Sequence, residues 1–398
     1  MPSNSSPIWQ IAFRPFFLAA SFFITLAFAL WALVLSNSLP TSLSNYQPYG
    51  GWFNWHSHEM IFGFVQAVAI GFLLTASRNW AGQAGISSNF IKLLMLSWLS
   101  ARLAWLIPGC PAAVIIILDV LTPTLAAIGL GQTLAGGERD HGKSSQSHNW
   151  PFVGLLSAFA LVQIVFHSLL LTQPQYLTLV MKSAVMMMVA MTLWVSGRVL
   201  PFFTRARLQT PAPIIPERLL QISMGASWLL IPCLLASLLL PQLGLLKIFT
   251  AGIALVAAIS QSYRLSLFYQ KGVFSEPMLW SLYCAFSWII VGYFMISVSL
   301  IIETPLPWLH AMTVGGLLTM IISMMARISL GHTGRPILAL RGIPAVFIAI
   351  QLAALIRITW QSTEGYLIAI ILLLLSLAIF LSHYSPVLLK TRSDNKPG

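Results

Sequence analysis

Apolar stretches of about 20 residues recur along this chain, and they constrain its fold more than any other feature. A helix of that length spans the hydrocarbon core of a bilayer. Only 8% of the residues are charged, whereas a soluble domain has roughly a quarter. We therefore predict an all-α integral membrane protein, a bundle of about twelve transmembrane helices. The predicted spans are Phe16–Leu35, Met60–Ala76, Phe90–Ile107, Pro111–Ala135, Pro151–Leu171, Tyr176–Leu200, Leu219–Leu240, Leu243–Phe268, Pro277–Ile302, Leu306–Ser329, Ile343–Trp360 and Gly365–Leu389.

The basic residues predict how the chain is oriented in the membrane. Most of the 21 Lys and Arg residues fall in or beside alternate connecting segments, which the positive-inside rule places in the cytoplasm. An even number of spans then places both termini there. The net charge of +12 indicates contact with anionic lipid and no nucleic acid, because a nucleic-acid surface would need these residues clustered on one soluble face. No polar segment is long enough for a separate domain, so residues 1–398 are predicted to form a single polytopic domain.

Four of the eight histidines lie at predicted outer ends of spans. His56 and His58 precede the second span, His167 lies near the end of the fifth, and His310 begins the tenth. Imidazoles from separate helices of a bundle commonly ligate haem iron or copper. Interfacial anchoring would explain one such histidine, whereas four at one depth favour a metal site.

The segment Trp55–Met60 is the sharpest local signal. Residues two apart in a helix point roughly 200° away from each other, so His56 and His58 would serve two different centres. A non-helical start would instead bring both imidazoles to one ion, and the sequence leaves both arrangements open. Glu59 is the candidate catalytic residue, because a carboxylate here could neutralise a metal, orient an imidazole or relay protons. The alternative is a carboxylate that faces outer water at a helix start.

The second and tenth spans resemble each other. A fixed shift in sequence carries His58 and Gly63 onto His310 and Gly315, which indicates equivalent helices of an internal repeat. Both helices would then deliver an outer-end histidine into the bundle. His58 and His310 are therefore a candidate axial pair for a haem.

Two inner segments carry further candidate binding residues. Arg198 lies in Gly197–Thr204, and His332 and Arg335 lie in Arg327–Pro336. In Gly/Pro turns, the two arginines could bind anionic lipid, a haem propionate or backbone carbonyls. Charge that merely sets topology is the simpler alternative. His332 is added as a candidate metal ligand.

Long motifs occur along nearly the whole chain: Phe13–Phe17, Trp55–Phe64, Gly71–Trp80, Gly197–Thr204 and His310–Arg335. Together they resemble the NnrS family. The resemblance implies a multi-pass protein of the bacterial inner (cytoplasmic) membrane that contains haem and copper and is linked to the response to nitric oxide. Because the chain has no C-x-x-C-H motif, the haem would be bound non-covalently, as haem b.

Haem-copper oxidases provide a more distant analogy. They have twelve core helices, and histidines from helices 2 and 10 hold a haem near the outer side, as His58 and His310 would here. This chain has no adjacent histidine pair in its seventh span, where those enzymes hold copper. A second metal would therefore use other ligands, with His56 and His167 the nearest candidates.

These observations lead to three functional hypotheses. The first is a haem- and copper-binding membrane protein that binds or reduces nitric oxide, with quinol as a conceivable electron donor. The second is a transporter or exporter of metal, haem or a nitrosylated iron species, since internal repeats are common in carriers. The third is a haem-based sensor without turnover.

Overall fold

The computed structural model describes residues 6–43, 45–82, 85–141 and 147–394, and within them the chain is helical and contains no strand. The long helices match the predicted spans one for one. They are α1 (Phe13–Leu35), α2 (Trp52–Ala81), α3 (Ser88–Leu106), α4 (Ala112–His141), α5 (Trp150–Thr172), α6 (Leu177–Leu208), α7 (Glu217–Leu239), α8 (Gly244–Phe268), α9 (Pro277–Ile301), α10 (Trp308–His332), α11 (Ile343–Thr359) and α12 (Thr363–Leu389).

Ten of these helices are long and apolar enough to cross a membrane. The other two are α3, which carries Lys92 and Arg102, and α11, which has 17 residues. The prediction of a multi-pass helical membrane protein is therefore confirmed for ten spans within the described ranges. The cytoplasmic location of both termini stays a prediction.

The sequence prediction ended the sixth span too early. It placed Arg198 in a Gly/Pro turn, but α6 continues through that segment to Leu208 with Pro201 inside the helix. A proline removes a single backbone donor, and transmembrane helices tolerate this loss because neighbouring groups satisfy the freed carbonyl. The other segment does turn after α10, where Gly334 adopts a positive φ of 72° and Arg335 donates to the Thr333 carbonyl.

The chain forms two compact units, each built from more than one stretch of sequence. The first contains residues 1–181, 325–337 and 380–398, and the second contains residues 182–324 and 338–379. In the first unit, α4 packs against α2, α3 and α5, which makes it the central helix of that group. In the second unit, α8 packs between α7 and α9, and α10 packs against α9 and α11. The single domain predicted for residues 1–398 stays a prediction.

Both α2 and α10 change from α- to π-helical geometry near their starts. The π-helical segments are Glu59–Val65 in α2 and Ala311–Leu318 in α10. Under the sequence shift that carries His58 onto His310, they begin at the same position and differ by one residue in length. Each segment places a glycine against a tryptophan of a neighbouring helix, Gly63 with Trp98 and Gly315 with Trp288. π-Helical turns occur frequently at functional sites, so each unit has an irregular helix start where a site is expected.

Candidate metal centre

The first unit buries five ionisable side chains in one cluster. His58 and Glu59 come from α2, Arg102 from α3, Asp119 from α4 and His167 from α5, and none is more than 4% exposed. We call these five residues the acid–histidine cluster. Ionisable side chains are costly inside a membrane bundle, so a group of this size indicates a function.

Three ligand atoms of the acid–histidine cluster converge. The Nε2 atoms of His58 and His167 lie 2.9 and 3.0 Å from the same oxygen, Oδ2 of Asp119. All three atoms lie within 4.8 Å of one another. Tetrahedral ligands bonded about 2 Å from an ion lie roughly 3.3 Å apart, so small movements would suffice to surround one metal ion.

A second carboxylate orients the first histidine. Nδ1 of His58 lies 3.0 Å from Oε1 of Glu59, which leaves Nε2 to point at Asp119. Histidines that bind metals usually donate their other ring N–H to a carboxylate or a carbonyl, which fixes the ring and raises its basicity. Glu59 therefore occupies the position of such an orienting group.

Arg102 joins the two carboxylates. Its Nη1 lies 3.2 Å from Oε2 of Glu59, and its Nη2 forms a short ion pair with Oδ1 of Asp119. The Nε1 atom of Trp105, one turn further along α3, lies 3.4 Å from Oδ2 of Asp119. With both imidazoles in the neutral form that binds a metal, two carboxylates and one guanidinium leave the acid–histidine cluster with one negative charge, which a bound cation or a proton on His58 balances.

Aromatic rings enclose the His58 imidazole. The ring centroids of Trp105, Phe62 and Phe166 lie 4.4, 4.8 and 5.0 Å from that of His58. These rings exclude water and lower the local dielectric, so the charges of the acid–histidine cluster interact strongly. They also restrict rotation of the imidazole.

The segment between α1 and α2 covers the acid–histidine cluster on one side. The Tyr49 amide donates to the Trp105 carbonyl, and the Tyr49 ring lies 5.8 Å from that of His167. The Tyr46 hydroxyl donates to the Leu106 carbonyl, 2.7 Å away, and ties the same segment to α3. Burial, and then the nearby Asp119 carboxylate, raise the pKa of Tyr49 above its usual value. Its phenol therefore stays neutral, and its buried hydroxyl has no hydrogen-bond partner among the described residues.

Gly63 makes room for Glu59 within the π-helical segment. A Cβ atom at Gly63 would lie 2.6 Å from both Oε2 of Glu59 and Cε1 of Phe23, closer than real Cβ contacts. The Gly63 carbonyl accepts a hydrogen bond from Nε1 of Trp98, 2.9 Å away. The glycine therefore fixes where the Glu59 carboxylate can lie.

The Gly63→Ala substitution is expected to displace Glu59 and destabilise the protein by about 1–3 kcal/mol, because the packed surroundings cannot move freely. Gly154→Ala in α5 is the matched control, because its added Cβ meets nothing within 4 Å. Thermal unfolding of the two purified variants tests this comparison. Equal stability of both variants would contradict this role of Gly63.

The structure brings together only part of the predicted site. His58, Glu59 and His167 meet in the acid–histidine cluster. The His56 ring instead stacks on Trp31, 4.3 Å away. Because α2 is helical from Trp52, the alternative of a non-helical start that brings His56 and His58 to one ion is wrong.

The remaining predicted residues are described by their neighbours within their own units. His310 is half-buried at the start of α10 in the second unit. The ring of His332, at the end of α10, lies 5.5 Å from that of Phe13. Arg198 is exposed, and its guanidinium lies over the Trp194 ring at 5.2 Å. Metal or cofactor binding by these residues stays a prediction.

Sequence reasoning missed two members of the acid–histidine cluster. Asp119 lies within the fourth predicted span and Arg102 within the third, and neither is among the candidate residues predicted from the sequence. Asp119 is one of only nine acidic residues in the chain and interrupts an apolar run. An acidic residue inside a span is by default a candidate functional residue, and this signal alone would have identified it.

The fold and this site define a multi-pass helical membrane protein with a buried His–Asp–His group that could hold a metal ion. The chain belongs to the NnrS family, because the family described as NnrS protein matches residues 7–392, nearly the whole chain. No curated protein matches it.

Proposed function

We propose that this protein binds copper at His58, Asp119 and His167, contains haem, and binds or reduces nitric oxide in the bacterial inner membrane. The observation that carries the metal site is the convergence of two imidazole nitrogens on one carboxylate oxygen in the buried core of the first unit. The family resemblance supports copper, haem and nitric oxide as the specific partners. In the predicted orientation, this copper site is near the extracytoplasmic face.

Ligand chemistry and charge both favour copper. Two imidazoles and a carboxylate suit several divalent metals, among which copper binds most tightly to a given set of such ligands. Cu(I) would balance the single negative charge that remains among Glu59, Asp119 and Arg102, so that ion would make the acid–histidine cluster neutral. Neutrality matters here because an unbalanced charge in a dry core is costly.

Each residue of the acid–histidine cluster has a distinct task in this proposal. His58, Asp119 and His167 bind the ion, which when bound supplies one-electron chemistry and a site for the gas. Glu59 orients His58, because its Oε1 lies 3.0 Å from Nδ1 of that ring. Arg102 holds both carboxylates in place, because its two terminal nitrogens contact one each.

Haem fits His58 less well than a single ion does. Among the described residues, both nitrogens of this imidazole face carboxylate oxygens, and three aromatic rings lie within 5.0 Å of it. Binding of Nε2 to a haem iron would require Asp119 to leave. The axial pair of His58 and His310 therefore stays a prediction. The contacts described above compete with haem binding at His58 alone, so His310 remains a candidate axial ligand.

The decisive experiment measures copper, haem and the nitric oxide response of the purified full-length protein. We expect copper in a fixed ratio to protein, and optical and electron paramagnetic resonance spectra that change when nitric oxide is added. His167→Gln should lose most of its copper, whereas His148→Ala, at an exposed histidine, should keep it. Unchanged spectra on addition of the gas to copper-loaded wild-type protein would refute the nitric oxide part of the proposal.

A transporter of metal, haem or a nitrosylated iron species is the second candidate. The observation that favours it is the pair of π-interrupted helices at equivalent positions in the two units, because internal repeats are common in carriers. Copper or iron flux into proteoliposomes without consumption of nitric oxide would favour transport over the leading proposal.

A further inference from the structure

The second unit contains a buried arginine that neither the sequence prediction nor the proposed function uses. Arg264 lies in α8, one turn before the helix ends at Phe268, and is 3% exposed. Its Nη1 atom donates to Sδ of Met224 at 3.2 Å and to Oε1 of Gln261 at 3.4 Å. Its guanidinium also lies 5.6 Å from the centre of the Phe268 ring. Every one of these partners is neutral.

No carboxylate lies within ion-pair distance of Arg264 among the residues that the structure describes. This distinguishes it from Arg102, which pairs with two carboxylates in the first unit. A buried charge without a counter-charge is strongly destabilising, so an intramembrane arginine of this kind indicates a missing anionic partner.

The packing around Arg264 is built to hold the guanidinium in place. Gly197 of α6 faces it, and a Cβ atom added there would overlap Nη2. The neighbouring Gln261 is itself fixed, because its amide nitrogen donates to the Ser223 carbonyl and to the Ser227 hydroxyl. Gly197 was singled out in the sequence as part of a turn. In the structure Gly197 lies inside α6, where a residue with a side chain would overlap the Arg264 guanidinium.

One edge of the guanidinium remains unused. Nη1 makes both hydrogen bonds, whereas Nε is buried without a partner and Nη2 donates to no group in the described part of the chain. Nε and Nη2 together form the fork that arginine presents to carboxylates and phosphates in two-point contacts. The free edge therefore has the geometry of an oxyanion site.

We propose that the Nε and Nη2 edge of Arg264 binds a group in which two oxygens share one negative charge. Such a group can come from the phosphodiester of a membrane phospholipid or from a small oxyanion such as nitrite. Arg264 is about 6 Å along the helix axis from the end of α8, so the proposed site is near the end of a predicted span.

The test uses the full-length protein in detergent and follows its thermal unfolding midpoint. Phosphatidylglycerol is compared with phosphatidylcholine in mixed micelles, and sodium nitrite is compared with sodium chloride at constant ionic strength. In the wild type, one anionic probe should raise the midpoint above its reference, and the responding probe identifies the source of the anion.

Variants then test whether the rise in the unfolding midpoint depends on Arg264. Arg264→Gln should abolish the rise, and Arg264→Lys should weaken the apparent affinity by at least about tenfold, because lysine keeps the charge but loses the fork. Arg205→Gln removes an exposed charge from α6 and should respond like the wild type. If Arg264→Gln does not fold, the Lys variant and the control still decide. Equal responses of the Arg264→Lys and wild-type proteins, or no response of the wild type to either anionic probe, would overturn the proposal.

Discussion

Replacing Arg102 with Met is expected to destabilise the metal-free protein by about 3–5 kcal/mol, the effect of breaking a buried ion pair. The substitution keeps a long apolar side chain but leaves Glu59 and Asp119 without their shared cation. Both carboxylates are fully buried, so neither can be compensated by water. Denaturation of the purified protein in the presence of a metal chelator measures the loss.

Two further variants test whether the loss of stability comes from the buried ion pairs of Arg102. Arg205→Met removes an exposed arginine and should change stability by less than about 0.5 kcal/mol. The double variant Arg102→Met with Glu59→Gln should recover part of the loss, because one unpaired negative charge has gone. If the Arg102→Met protein is as stable as the wild type, the two carboxylates are not held by this guanidinium.

Asp119→Asn is expected to weaken copper binding by at least about tenfold, because the variant loses an anionic ligand. A tenfold change in affinity corresponds to about 1.4 kcal/mol of binding free energy. The amide has nearly the same shape as the carboxylate, so the helix packing around α4 should persist. It lacks the charge, and Glu59 and Arg102 alone would leave the acid–histidine cluster neutral and without attraction for a cation. The measurement is metal content per chain after dialysis against a weak chelator.

Glu364→Gln is the control for the Asp119 variant. It removes an exposed carboxylate at the start of α12 and should leave copper content unchanged. Full copper retention by the Asp119→Asn protein would remove Asp119 from the site, even if the histidines were still required.

The helices were predictable from sequence because the length of an apolar stretch can be read from consecutive residues, without knowledge of how the helices pack. Each predicted span lies on a helix of the structure, and errors arose mainly at the ends. The predicted sixth span ends at Leu200, whereas α6 reaches Leu208. Pro201 does not end the helix, because neighbouring groups in a packed bundle satisfy the carbonyl that proline leaves without a donor. The π-helical geometry of Glu59–Val65 could not be predicted from the sequence, in which Gly63 is the one unusual residue of the segment. The contacts of Gly63 with Trp98 and Phe23 form only when the helices pack.

The site was only half predictable because ligand sets form by packing. His58, Glu59 and His167 stood out through residue type and predicted depth, while His56 had the same depth but faces Trp31. Arg102 and Asp119 are 17 residues apart and meet only when α3 packs against α4. The acidic residue Asp119 inside an apolar span is visible in the sequence, but its partner Arg102 is not.

The most direct test of the copper site is X-ray absorption at the copper edge on the purified, copper-loaded protein. The arrangement of His58, Asp119 and His167 predicts a first shell of light atoms at about 2 Å, with the outer-shell scattering of two imidazole rings. A first shell of sulfur from methionine or cysteine, or copper with no imidazole scattering, would contradict it.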